Sequence, residues 1–170
     1  MMHSIISCPE LELINNHLFQ PCRFYISNVE TDPESIEYSG YNFTLNDQNI
    51  KFRVAKITPT KTGQFVTIWK RNEKGVAEPF HITDNFSSLI VATRTDKNFG
   101  LFIFPKEVLR EQKILSDDNS AGKRGIRVYP PWDITTNKQA QKAQRWQTEY
   151  FIDLSGNDST DFEKVAELLG

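Results

Sequence analysis

Apolar and polar positions along this chain alternate between two periods, and the changes of period mark its elements. Near residues 8–18, Leu11, Ile14 and Leu18 recur at spacings of three and four, which predicts a short helix. Ser7 with Glu10 forms a capping-box signature ahead of it, and Pro9 falls in the first turn. Ile36 and Tyr38, then Tyr41, Phe43 and Leu45, alternate as a strand bent at Gly40, and Asn46-Asp47-Gln48 reads as a turn. Ile50, Phe52 and Val54 then share one strand face while Lys51 and Arg53 share the other, so one face is expected to pack and the other to be charged. Gln64 to Lys70 resumes as strand after a turn bracketed by Pro59 and Gly63, giving a hairpin with a basic tip.

Residues 86–93 and 99–104 are nearly continuous apolar runs joined by Thr95-Asp96-Lys97-Asn98, the pattern of two central strands in a hairpin. Pro105 opens a helix through about Gln112, and 117–125 is a polar, glycine-bearing loop. Thr136 with Gln139 caps a helix over 137–151. Its apolar face holds Ala140, Ala143, Gln147, Tyr150 and Phe151, and its opposite side Lys138, Lys142 and Arg145. Thr160 with Glu163 caps a last helix with Phe162, Val165, Ala166 and Leu169 as its packing stripe. The expected fold is mixed α/β (α+β), one domain over 1–170, with a central mixed sheet built from hairpins and flanked by helices.

Composition narrows the class. A chain of 170 residues with 38% hydrophobic and 25% charged residues can bury one core without disulfides or a structural metal. No apolar run approaches the roughly 20 residues of a membrane span, and no basic stretch leads into a hydrophobic segment at the N-terminus, so the expected compartment is the cytoplasm and no membrane partner is expected. Cys8 and Cys22 are expected to be reduced. Together with His17 they lack the paired spacing of a zinc site, so neither a metal nor another cofactor is predicted.

Charge changes the picture more. Residues 1–50 hold seven acids against one base, Arg23. Residues 48–72 hold no acid but carry Lys51, Arg53, Lys56, Lys61, Lys70 and Arg71. A second stretch, 119–148, carries Lys123, Arg124, Arg127, Lys138, Lys142 and Arg145 against Asp133 alone. Aromatic side chains are interleaved with these bases: Trp69, Tyr129, Trp132 and Trp146. Cations supply charge and donors for phosphates while aromatic faces stack on bases, so the expected partner is nucleic acid. A small anionic ligand or an acidic protein partner would meet the same charges, and a solvated edge hairpin rich in lysine is the plain structural alternative. Gly122-Lys123-Arg124-Gly125 is not a Walker loop, because position 117 is Asp rather than Gly and position 124 is Arg rather than Ser or Thr.

The string Phe52-Arg53-x-Ala55-Lys56-x-Thr58-Pro59-x-Lys61-x-Gly63-Gln64-Phe65-Val66-x-x-Trp69-Lys70-Arg71 is followed by Gly100-x-Phe102-Ile103-Phe104-Pro105-Lys106. With Gly122-Lys123-Arg124-Gly125-x-Arg127-Val128-Tyr129-Pro130-x-Trp132 and Ala143-Gln144-x-Trp146-Gln147, it resembles the MepB family, named for a bacterial multidrug-efflux locus. The resemblance spans residues near 36 to 151. It implies kinship with nuclease-like, nucleic-acid-binding folds, here a degenerate restriction-endonuclease-like fold.

A magnesium-dependent nuclease of that kind needs an acid on one strand and acid-x-Lys on the next, so that carboxylates hold the metal and the lysine orients water. Phe104-Pro105-Lys106 and Val54-Ala55-Lys56 both lack the acid. Glu37 and Asp84, with Lys106 or Lys56, remain the candidate catalytic set, with magnesium as the cofactor of that alternative alone. Asp117-Asp118 reads as a turn, and His3, His17 and His81 lie outside any recognisable nucleophile setting. The expectation is therefore a protein that binds nucleic acid without cutting it. A metal-dependent phosphodiesterase and a protein-interaction module are the alternatives.

Overall fold

The computed structural model describes residues 7–156 and 160–170, so His3 lies outside the described residues. Its frame is a six-stranded sheet. The strands are β1 (Ile26–Thr31), β2 (Tyr41–Leu45), β3 (Gln48–Val54), β8 (Ser88–Arg94), β9 (Phe99–Pro105) and β11 (Phe151–Asp153), ordered β1-β2-β3-β8-β9-β11. Neighbours run antiparallel except β3 and β8, which are parallel. A parallel pair needs a crossover, and here the crossover is itself structured. It contains β4 (Lys56–Ile57) and β5 (Gln64–Thr67), which join β10 (Gly125–Val128) in a three-stranded sheet ordered β10-β5-β4. It also contains β6 (Trp69–Arg71) and β7 (Ala77–Pro79), which pair with each other. The helices are α1 (Pro9–Ile14), α2 (Lys106–Glu111), α3 (Lys138–Gln147) and α4 (Phe162–Leu169).

The sheet is covered on both faces, which explains the unbroken hydrophobicity of β8 and β9. Ile90, Ala92, Leu101 and Ile103 face one core, with Leu11 and Ile14 of α1, Leu18 and Phe19 beyond it, and Val165 and Leu169 of α4. Leu89, Val91, Phe102 and Phe104 face the other, against Val66, Ile126 and Val128 of the small sheet and Val108 and Leu109 of α2. Full burial of a Leu, Ile, Val or Phe side chain contributes about 1.5–3 kcal/mol, and this hairpin supplies seven of them to the two cores.

The mixed α+β class and the β8–β9 hairpin are as the sequence predicts. Several boundaries differ. Pro33–Tyr38 is a 3-10 helix rather than the start of a strand, capped by the Asp32 carboxylate, which accepts from the Glu34 amide at 3.0 Å. The basic-tipped hairpin is β4–β5 and does not include β3, which pairs with β2 and β8 instead. All three helix starts fall one residue later than the capping signatures predict. Cys8 starts α1 without a side-chain cap, Asn137 caps α3 by accepting from the Ala140 amide at 2.8 Å, and Asp161 caps α4. A cap is chosen by the extended backbone that precedes the helix, which residue type alone does not specify. No helix among the described residues is long and apolar enough to cross a membrane.

Candidate functional site

A cleft of about 690 Å³ opens between the β10-β5 edge of the small sheet and α3. Three of the predicted cations line it, Lys61, Lys123 and Arg127, together with the aromatic side chains of Phe65, Tyr129 and Trp146. Among the described residues no Asp or Glu belongs to its lining. The start of α3 also borders it through Thr136, Asn137 and Gln139. The unpaired amides of a helix N-terminus carry partial positive charge, so the helix adds to the field of the cations.

Local hydrogen bonds fix this wall. Arg127, on β10, donates from one guanidinium nitrogen to the carbonyls of Thr62 and Gly63 at 3.3 and 3.4 Å, and from the other to the Thr58 hydroxyl at 2.8 Å. Its guanidinium lies 5.8 Å from the centre of the Phe65 ring. Gly63 takes φ +84°, and a Cβ there would come within 2.7 Å of the Tyr129 ring, so only glycine lets this turn close over the tyrosine. Gln147 joins the two walls. Its side-chain oxygen accepts from the Tyr129 amide at 2.8 Å and its amide nitrogen donates to the Arg127 carbonyl at 3.0 Å, with the side chain buried. Lys61 and Lys123 are exposed, and among the described residues neither is in an ion pair.

The other predicted contact residues are placed elsewhere. Arg53 is fully buried, with its guanidinium 2.6 Å from the Asp32 carboxylate, so it cannot reach a phosphate at the surface. The strand face expected to be charged is covered by Phe80, which lies 5.9 Å from this guanidinium and 4.6 Å from the Lys51 ammonium. Lys70 is paired with Asp84 at 2.6 Å, and Arg71 with Glu34 at 3.0 Å while stacking on Trp69. The stretch without acids in sequence is thus met in space by acids from elsewhere. Trp132 packs edge-on against Phe151 at the core boundary and does not line this cleft. Trp146 stands on Phe104 at 5.3 Å and still borders the cleft. Lys56, Arg124, Lys142 and Arg145 are exposed outside the cleft lining.

The candidate nuclease residues do not form a metal site. Among the described residues no three His, Cys, Asp or Glu side chains gather where they could hold an ion, and this includes Cys8, His17 and Cys22. The Asp84 carboxylate is occupied by Lys70 and by the His81 amide at 2.8 Å, while Lys106 donates to the Asp84 backbone carbonyl. Burial opposes the charge of Asp84, but Lys70, the His81 amide and Lys51 outweigh it and hold its carboxyl below the usual range. Glu37 is exposed on the 3-10 helix. Asp117 closes a turn by accepting from the Asn119 amide, and His81 accepts through Nδ1 from the Thr83 amide. The acid-x-Lys spacing is approached a third time at Asn49-Ile50-Lys51 of β3, beside β2, with asparagine at the acid's place. Sequence reasoning also missed Phe65, Asn137 and Gln147. The signal for Gln147 was present: it is an amide on the apolar stripe of α3.

Sheet, crossover and cleft together define a mixed α+β protein with a basic, aromatic groove beside its sheet. The chain belongs to the MepB-like family, whose model matches residues 32–153. It is similar to a crystal structure of MepB with a TM-score of 0.75 and 31% identity, over 78% of this chain and 89% of that one. No curated protein matches the chain.

Proposed function

We propose that the chain binds nucleic acid through the cleft between β10 and α3, and that it does so without cleavage. The observation that supports this best is a concave lining with three cations, three aromatic rings and a helix start but no carboxylate among the described residues. Cations along such a groove track phosphates by displacing counterions, and aromatic faces take up bases irrespective of sequence. The nuclease-like kinship implied by the family motifs is in keeping with this reading. Cleavage lacks support because the candidate acids are dispersed or held in ion pairs.

The test is equilibrium binding of labelled single-stranded DNA, duplex DNA and RNA at two salt concentrations with magnesium present, followed by inspection of the probes. Tight, salt-sensitive binding with intact probes is expected. Cut probes would replace this reading with the phosphodiesterase, and no binding at low salt would leave an acidic protein partner as the reading to pursue.

A further inference from the structure

Lys51 has no part in the cleft, yet its environment is unusual for a lysine. It projects from the middle of β3 and is largely buried, with its ammonium 4.6 Å from the centre of the Phe80 ring and 5.8 Å from that of Phe86. The ammonium has three donors, and the described residues give it one hydrogen bond, a long one of 3.4 Å to the Asn42 side-chain oxygen. It is in no ion pair among the described residues. The charged groups around it are already committed, Asp32 to Arg53 and Asp84 to Lys70. Removing a cation from water without a counter-ion is costly, and a fold keeps such a group where something else supplies the charge.

A cavity of about 290 Å³ adjoins this lysine, lined also by Asn42, Asn49, Thr44 and Asn85. The Asn42 oxygen is taken by Lys51, which leaves its amide nitrogen as donor, and the Thr44 oxygen accepts from Asn28 at 3.3 Å, which leaves its hydroxyl hydrogen. Glu30, the acid of this lining, is exposed and screened by water. We propose that this cavity is a binding site for a single phosphate group, with the Lys51 ammonium supplying the charge and the Asn42, Asn49 and Asn85 amides and the Thr44 hydroxyl supplying neutral donors. The volume admits a phosphate with one attached sugar. None of its lining residues is shared with the cleft, so the proposal stands or falls apart from the reading above. Burial first, and then Arg53 and Lys70, lower the Lys51 ammonium's affinity for its proton against the partial compensation of Asp32 and Asp84. A bound phosphate would act in the opposite direction.

The experiment uses the full chain with isotope-labelled lysine side chains, titrated with inorganic phosphate and, at matched ionic strength, with chloride. A saturable shift of the Lys51 signal by phosphate alone, with a rise in its pKa, is expected. The same shift should persist in a Lys61→Gln/Lys123→Gln double variant, and phosphate binding measured by calorimetry should fall at least tenfold in Lys51→Gln. A 5′-phosphorylated dinucleotide competing better than the same dinucleotide without its terminal phosphate would assign the site to phosphate monoesters, and equal competition to the internal diester. The proposal is overturned if Lys51 does not respond, if chloride reproduces the response, or if Lys51→Gln binds phosphate as well as the original chain. Should Lys51→Gln fail to fold, the unmodified chain's Lys51 signal decides alone.

Discussion

The Arg53 guanidinium and the Asp32 carboxylate meet at 2.6 Å in the interior, joining β3 to the 3-10 helix that Asp32 caps. Burial lowers the affinity of Arg53 for its proton, and Asp32 offsets part of that. Removing one partner of a buried ion pair strands the other charge and costs about 3–5 kcal/mol. Asp32→Ala is therefore expected to destabilise the chain by that amount in urea denaturation. Adding Arg53→Met should recover much of the loss, because the stranded charge is then gone. Equal stability of Asp32→Ala and the original chain would remove this pair from the account of the fold.

Gln147 gives a second test, on the cleft itself. It satisfies the Tyr129 amide and the Arg127 carbonyl from a buried position, so Gln147→Leu leaves two backbone groups without partners. Each such group costs about 1–3 kcal/mol, and a loss of about 2–6 kcal/mol is expected on thermal or urea unfolding. Gln147→Glu keeps the acceptor for Tyr129 but has no donor for Arg127, and should fall between the two.

What was legible in the sequence follows from what periodicity encodes. The β8–β9 hairpin and α3 were readable because burial on one or both faces writes itself into apolar spacing, and α2 because Pro105 suits a helix start. Alternation also put Arg53 on the face opposite Phe52, but it says which side a residue faces and not whether that side is wet. Phe80 covers that face from 27 positions further along, a long-range contact no local pattern announces. The same limit applies to charge. Lys70 and Arg71 lie in a stretch without acids, yet Asp84 and Glu34 reach them through tertiary structure. Lys61, Lys123 and Arg127 were legible as cations, and their convergence came from the β10–β5 pairing.

Gly63 is the position where the cleft depends on backbone conformation. At φ +84° a side chain is strained, and a Cβ would press on the Tyr129 ring. Gly63→Ala should cost more than about 1 kcal/mol and displace both Tyr129 and the turn that holds Arg127. Tyr129 fluorescence accessibility and nucleic-acid affinity should change together. Gly75→Ala, at φ +77° but with open space around it, should strain the backbone without altering binding.

Asp84 sets an acid limb of stability. Its folded carboxyl has a lowered pKa, so it binds its proton less readily than in the unfolded chain, whose ordinary value is 3.8. The stabilisation is fully present above that value and is lost as the pH falls through the folded pKa. Unfolding free energy should therefore fall as the pH drops below about 4. Asp84→Asn should be less stable at neutral pH and show a shallower acid limb. Identical limbs in both proteins would assign the acid sensitivity to other carboxylates.

Salt dependence separates cleft cations from paired ones. Each phosphate neutralised by a lysine on a single strand contributes about 0.7 to the slope of log affinity against log salt, and about 0.9 on a duplex. Lys61→Gln and Lys123→Gln remove exposed cations that are in no ion pair among the described residues, so each should lower the slope by about that amount while leaving stability nearly unchanged. Lys70→Gln instead breaks the contact with Asp84, so it should reduce stability and leave the slope in place. The contrast matters because all three lysines belong to stretches that are equally basic in sequence. If Lys70→Gln lowered the slope as much as Lys61→Gln, nucleic acid would be displacing Asp84 from Lys70, and the binding face would extend from the cleft across β6.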